Sequence, residues 1–118
     1  MNPLPDPAAT METTCAEVAA WAGLPAGERP RLIDCREPDE WDYCRIEGAE
    51  HVPLGAIPAK TAALAADSPR GLVVYCHHGM RSLHAVAFLR AHGLEQAFSL
   101  TGGIDAWSRA IDPDVPRY

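Results

Sequence analysis

The sequence predicts an α/β fold, a three-layer α/β/α sandwich around a central parallel sheet of about five strands. Three observations carry that expectation. Short apolar, β-prone runs alternate with helix-length segments along most of the chain. The run Leu72-Val73-Val74-Tyr75 is apolar throughout rather than alternating, as expected of a strand covered on both faces in a parallel sheet. A chain of 118 residues, 47% apolar and 22% charged, is long enough for one modest core and therefore one domain.

In chain order, residues 1–10 carry three prolines and read as a flexible lead-in, with the folded domain spanning 11–118. Residues 12–22 are expected to be helical, with Thr13 or Thr14 as N-cap; a short strand before them is not clear in the sequence. Cys15 in the first turn fits a packing role. Gly23-Leu24-Pro25-Ala26-Gly27 breaks the chain, and Arg31-Leu32-Ile33-Asp34 is the next strand. Pro38 turns the chain away, and Asp39 is expected to cap a short helix through Tyr43. Residues 48–54 read as a turn and a short strand ending at Pro53, which cannot donate to a ladder. Residues 55–66 form an alanine-rich helix with Ile57 and Leu64 on its packed side. After the central strand and helix, Ala97-Phe98-Ser99-Leu100 is a strand. A last helix begins near Ile104, and residues 112–118 are a proline-broken tail.

The chemistry concentrates after the central strand, in Cys76-His77-His78-Gly79-Met80-Arg81. The run from Ser82 to His92 lacks Pro and Gly, and Gly93 suits the position past a helix end, so it reads as a helix. A cysteine at the carboxyl end of a parallel strand sits where open α/β sheets bind ligands. The helix N-terminus favours an anion there, whether a thiolate, a persulfide or an oxyanion. Gly79 lets the loop amides turn inward, and Arg81 adds a cation, either to orient an anionic donor or to brace the loop against Asp34 or a backbone carbonyl. His77 and His78 either steer substrate or sit on the loop surface. Asp34 and Arg36 end the neighbouring strand on the same edge; an ion pair fixing that loop is favoured over substrate contact. Gly102-Gly103 reads as a βα turn able to approach the site.

Composition narrows the function. The net charge of −6, with a single lysine and no basic cluster, argues against nucleic acid or an anionic membrane as partner. Residues 1–7 lack the charged and apolar regions of a signal peptide, and no apolar run approaches a membrane span. The four cysteines, Cys15, Cys35, Cys44 and Cys76, show neither C-x-x-C nor metal-ligand spacing. A cytoplasmic protein with reduced thiols is expected, with Cys35 and Cys44 structural rather than resolving, and with no metal or organic cofactor.

Four motifs in register carry a family likeness. They are Asp34-Cys35-Arg36-Glu37-Pro38, Ile46-Glu47-Gly48-Ala49 with His51-Val52-Pro53-Leu54, the loop Cys76 to Ser82, and Gly102-Gly103-Ile104-Asp105-Ala106-Trp107. Together they resemble a single-domain rhodanese-like sulfurtransferase, from about Glu12 to the end of the chain. The resemblance implies a five-stranded parallel sheet in strand order 3-2-4-5-1 and a catalytic cysteine, Cys76, that carries a covalent persulfide. It places His77, His78, Gly79, Met80, Arg81 and Ser82 around the transferred sulfur, with Asp34 and Arg36 in support. The implied partners are a small sulfur-containing anion such as thiosulfate and a cyanide or thiol acceptor, free or on a protein. Cys44-Arg45 stands where the family often has Gly-His, so Cys44 is either a second redox thiol or a core substitution.

Two other classes share this plan. Phosphatases and arsenate reductases use a Cys-to-Arg loop for oxyanions, and a non-catalytic or sensing module uses the fold to bind a partner protein. The retained Cys76 and Arg81 speak against the module. Only four residues separate Cys76 from Arg81, where the oxyanion enzymes use five, so the ring of amides is expected to suit one sulfur atom better than a tetrahedral oxyanion.

Overall fold

The computed structural model describes residues 4–118. Its elements are β1 (Glu12–Thr13), α1 (Cys15–Trp21), β2 (Arg31–Asp34), α2 (Pro38–Tyr43), β3 (Glu50–His51), α3 (Ile57–Ala66), β4 (Leu72–Tyr75), α4 (Met80–Ala91), β5 (Ala97–Leu100) and α5 (Gly103–Ala110). All strand pairs are parallel and the order is β1-β5-β4-β2-β3. Read from the other edge, this is the order 3-2-4-5-1. Among the described residues no helix is long and apolar enough to cross a membrane.

Side chains alternate across the sheet and build a core on each face. Leu32, Val73, Tyr75, Phe98 and Leu100 pack with Val18 and Trp21 of α1 and with Ile104 and Trp107 of α5. Ile33, Cys35, Leu72, Val74, Cys76 and Ala97 face the other way, beneath Ile57 and Leu64 of α3 and Ala85, Val86 and Leu89 of α4. β4 is central and fully buried, which explains its unbroken apolar run.

Several local expectations are corrected. Residues 12 and 13 form strand β1, not the start of a helix, because they pair with β5: Ser99 N donates to Met11 O and Thr101 N to Thr13 O, at 2.8 and 2.9 Å. The helix begins one residue after Thr14, which caps it in a reciprocal box with Glu17. In α2 Pro38 occupies the first turn and Glu37, not Asp39, is the N-cap; Glu40 Oε1 accepts the Glu37 amide at 3.0 Å. The described part of the lead-in is held down rather than free. Leu4 is buried, and Arg90 donates to the carbonyls of Pro7 and Thr10, each at 2.8 Å. Residues 1–3 of that segment lie outside the described residues.

Candidate active site

The site is built at the carboxyl ends of β4 and β2, capped by the N-termini of α4 and α5. Cys76 is the first residue beyond β4, and its loop closes at Gly79, whose φ of +108° is open to glycine and strained for other residues. α4 starts at Met80, two residues earlier than Ser82, so Met80 and Arg81 belong to its first turn rather than to the loop. The Gly79 amide donates to Cys76 Sγ at 3.1 Å. Ser82 Oγ, fully buried, lies 3.5 Å from the same sulfur, 2.7 Å from Ser99 Oγ and 3.2 Å from the Gly79 carbonyl. A hydroxyl placed this way can turn its proton to the sulfur while Ser99 donates to it in turn.

These contacts set the state of the sulfur. The neighbouring Cys35 thiol holds the Cys76 thiol well below its ordinary range, against the opposing effect of burial. The Ser82 hydroxyl and the amides of Ser82 and Gly79 act in the same direction. Cys35 is pushed the other way, by Cys76 and then by burial, which favours its protonated thiol. These groups favour the thiolate form of Cys76 despite its burial.

The second helix end fixes the loop from behind. Ile104 N donates to Cys76 O at 2.9 Å and Asp105 N to His77 O at 3.1 Å. A Cβ on Gly103 would collide with those two carbonyl oxygens, so the close approach expected of Gly102-Gly103 is real and requires glycine. His77 is half-buried; burial and then His78 push its imidazole down, which favours the neutral ring. His78 and Met80 stand exposed at the rim, with His78 Nε2 4.0 Å from Asp105 Oδ2.

Arg81 braces, but not against Asp34. Its guanidinium forks onto Glu40 of α2, at 2.6 and 3.0 Å. Asp34 is already taken: fully buried, it receives Arg36 through Nε at 3.0 and 3.1 Å, through NH2 at 2.7 Å and through the Arg36 amide at 2.9 Å. Arg36 is equally buried and also donates to the Cys44 carbonyl and, at 2.7 Å, to Tyr118 Oη. The two form a fully buried ion pair at the end of β2.

Sequence reasoning missed three contributors. Glu40 has its carboxyl lowered to about 2 by Arg81, helped by Tyr118 and the Glu37 amide. Tyr118 stacks on His77 at 3.9 Å and 7°, and donates to Glu40 Oε2 at 2.6 Å. It joins the Asp34–Arg36 and Glu40–Arg81 pairs into one network. Cys35, expected from the sequence to be structural, lies in the same apolar cluster as Cys76. Cys15 and Cys44 pack in the core on the opposite face of the sheet from Cys76, with Cys44 Sγ 3.5 Å from the Pro116 carbonyl. Among the described residues, one group could hold a metal ion: His77, His78 and Asp105, whose ligand atoms lie within 4.8 Å of one another. The Asp105 carboxylate is already engaged by Arg117 at 3.0 Å and Arg109 at 3.7 Å.

Comparison with known proteins agrees with this architecture. The family model of the rhodanese-like domain matches residues 18–110. The chain is 36% identical over 105 residues to the probable adenylyltransferase/sulfurtransferase MoeZ of Mycobacterium tuberculosis, covering 89% of this chain and 26% of that protein. To the thiosulfate sulfurtransferase GlpE of Stutzerimonas stutzeri it is 33% identical over 84 residues, 71% of this chain and 75% of GlpE. The crystal structure of a rhodanese-related protein from Thermoplasma volcanium matches with a TM-score of 0.73 at 27% identity, over 91% of this chain and 98% of that one. The chain thus spans about a quarter of the length of relatives such as MoeZ and nearly all of the Thermoplasma volcanium chain. With a family model matching residues 18–110, the chain belongs to the rhodanese-like family.

Proposed function

We propose that this protein is a sulfurtransferase in which Cys76 carries the sulfur, accepting it from a donor such as thiosulfate and passing it to cyanide or a thiol, free or on a protein. The observation that carries the reading is the setting of the Cys76 sulfur, which receives the Gly79 amide at 3.1 Å and faces the Ser82 hydroxyl at 3.5 Å. In the first half-reaction the Cys76 thiolate attacks the outer sulfur of thiosulfate. The S–S bond of the donor breaks and sulfite departs with the bonding pair, leaving Cys76–S–S⁻. In the second, cyanide or a thiolate attacks the terminal sulfur and the Cys76 thiolate leaves, giving thiocyanate or a new persulfide. Charge and atoms balance in both steps, and no other redox partner enters.

The chain's own groups serve each step. Amides at the α4 N-terminus stabilise the anion before and after transfer, and they do so as fixed dipoles that need no reorganisation. His77, His78 and Met80 line the approach. Arg81 holds the start of α4 against α2 through Glu40, which keeps the cradle's shape. This commitment of Arg81 also disfavours an oxyanion hydrolase, whose arginine has to fork onto the bound oxyanion.

A paired assay tests the proposal. Purified protein is given thiosulfate with cyanide or a thiol, and in parallel an aryl phosphate. The expected result is Cys76-dependent thiocyanate or persulfide formation and no phosphate release. Cys76-dependent phosphate release without sulfur transfer would overturn it, and absence of both activities would favour a binding module.

A further inference from the structure

The register of the sheet places a second sulfur at the site. β2 and β4 pair with Asp34 opposite Tyr75, and the Cys35 amide donates to the Tyr75 carbonyl at 3.0 Å. One residue further on, Cys35 and Cys76 stand opposite each other on neighbouring chains, which in a sheet are about 4.8 Å apart. The alternation of side chains puts both on one face, since Ile33, Cys35, Val74 and Cys76 all enter the same apolar cluster. Cys35 is wholly buried and Cys76 almost so, and no other thiol lies on that face.

An anion in such a place needs donors on every side that water does not reach. The Gly79 amide and Ser82 hydroxyl supply them from the α4 side. From the β2 side the group facing Cys76 is the Cys35 thiol. We propose that Cys35 is a positioning residue of this site, donating its S–H to the Cys76 sulfur from the adjacent strand and so favouring and orienting the thiolate. A thiol is a weak donor, yet in a low-dielectric setting its hydrogen bond acts at closer to full strength. Burial and the neighbouring anion both keep Cys35 protonated, so it gives a hydrogen bond rather than competing as a nucleophile. The inference rests on reading Cys76 as the reactive thiol, but its test requires no sulfur transfer.

The test follows the ultraviolet thiolate absorbance of Cys76 against pH, each variant being referenced to its own Cys76→Ser partner. The other charged or titratable groups around the sulfur stay in place throughout: Asp34 beside Cys35, Arg81 with Glu40 behind it, His77 and Asp105. Cys35→Ala is expected to raise the midpoint so that the thiolate–thiol ratio below it falls about two- to tenfold, the worth of one hydrogen bond. Cys35→Ser, which keeps a donor, is expected to retain a midpoint near that of the parent. Should Cys35→Ala fail to fold, Cys35→Val fills the space without a donor and is expected to behave like alanine. An unmoved midpoint in the alanine or valine variant, or a serine variant displaced as far as alanine, would overturn the proposal. Persulfide formation with no midpoint shift would sink this inference alone; a shift in a protein that never takes up sulfur would sink only the sulfurtransferase reading.

Discussion

At the carboxyl ends of neighbouring strands, β2 and β4, two buried acidic groups are held in opposite ways. Asp34 is met by a full cation: Arg36 gives it two side-chain nitrogens and its own amide, and both side chains are fully buried. Cys76 is met by dipoles, an amide, a hydroxyl and a thiol, while the guanidinium of Arg81 is turned onto Glu40. The difference separates structure from chemistry. A carboxylate saturated by its ion pair has nothing left to offer a substrate and serves to pin a loop. A thiolate held by neutral dipoles, with the Arg81 guanidinium spent on Glu40, keeps its nucleophilic pair. Tyr118 links the two regions by accepting from Arg36 and donating to Glu40.

The largest expected effect lies on the dipole side. Cys76→Ser should reduce sulfur transfer by at least about 10³-fold while leaving the urea midpoint close to that of the parent, since it removes the nucleophile and little packing. Residual transfer within tenfold of wild type would move the chemistry to another residue.

The ion-pair side should answer in stability. Arg36→Met leaves Asp34 as an unpaired buried charge, at an expected cost of about 3–5 kcal/mol in urea unfolding. A cost below about 1 kcal/mol would show that Asp34 finds water or another partner, and the contrast between the regions would fade.

A smaller, pH-dependent effect belongs to Glu40. Its carboxyl is lowered from 4.5 to about 2 in the folded state, by Arg81 first. A depressed value means that the group stabilises the fold above its unfolded value and loses that contribution as pH falls. The loss is therefore expected between pH 4.5 and about 2. In Glu40→Gln this segment of the stability curve should be missing, with the two proteins converging near pH 2. Parallel curves across that range would contradict the assignment.

The smallest effect is expected at Tyr118, which is partly exposed. Tyr118→Phe keeps the stack on His77 and loses the bridge to Arg36 and Glu40, so thermal and urea unfolding should report a loss of about 0.5–1.5 kcal/mol. A loss above about 3 kcal/mol would make this tyrosine a keystone rather than a link.

How much of this was legible follows from what is local. The strand Leu72–Tyr75, the glycine turn at Gly79 and the helix after it are written in adjacent residues, and so is the position of Cys76. The pairing of Asp34 with Arg36 was legible for the same reason, two residues apart at one strand end. Strand β1 was hidden because two residues have no periodicity to read, and it exists only by pairing with β5. Glu40 and Tyr118 were hidden because their partners lie 41 and 82 positions away, respectively. The facing of Cys35 and Cys76 depends on register alone, and a slip of one residue would have sent one thiol to the opposite core.

The central claim, that the dipole-held sulfur of Cys76 is the carrier, is tested most directly by the intact mass of the protein after incubation with thiosulfate and removal of excess donor. A gain of one sulfur atom, mapped to the peptide containing Cys76, absent in Cys76→Ser and discharged by cyanide, is the expected result. A protein whose mass stays unchanged with thiosulfate and with other sulfane donors, or whose added sulfur maps to Cys15, Cys35 or Cys44, would contradict it.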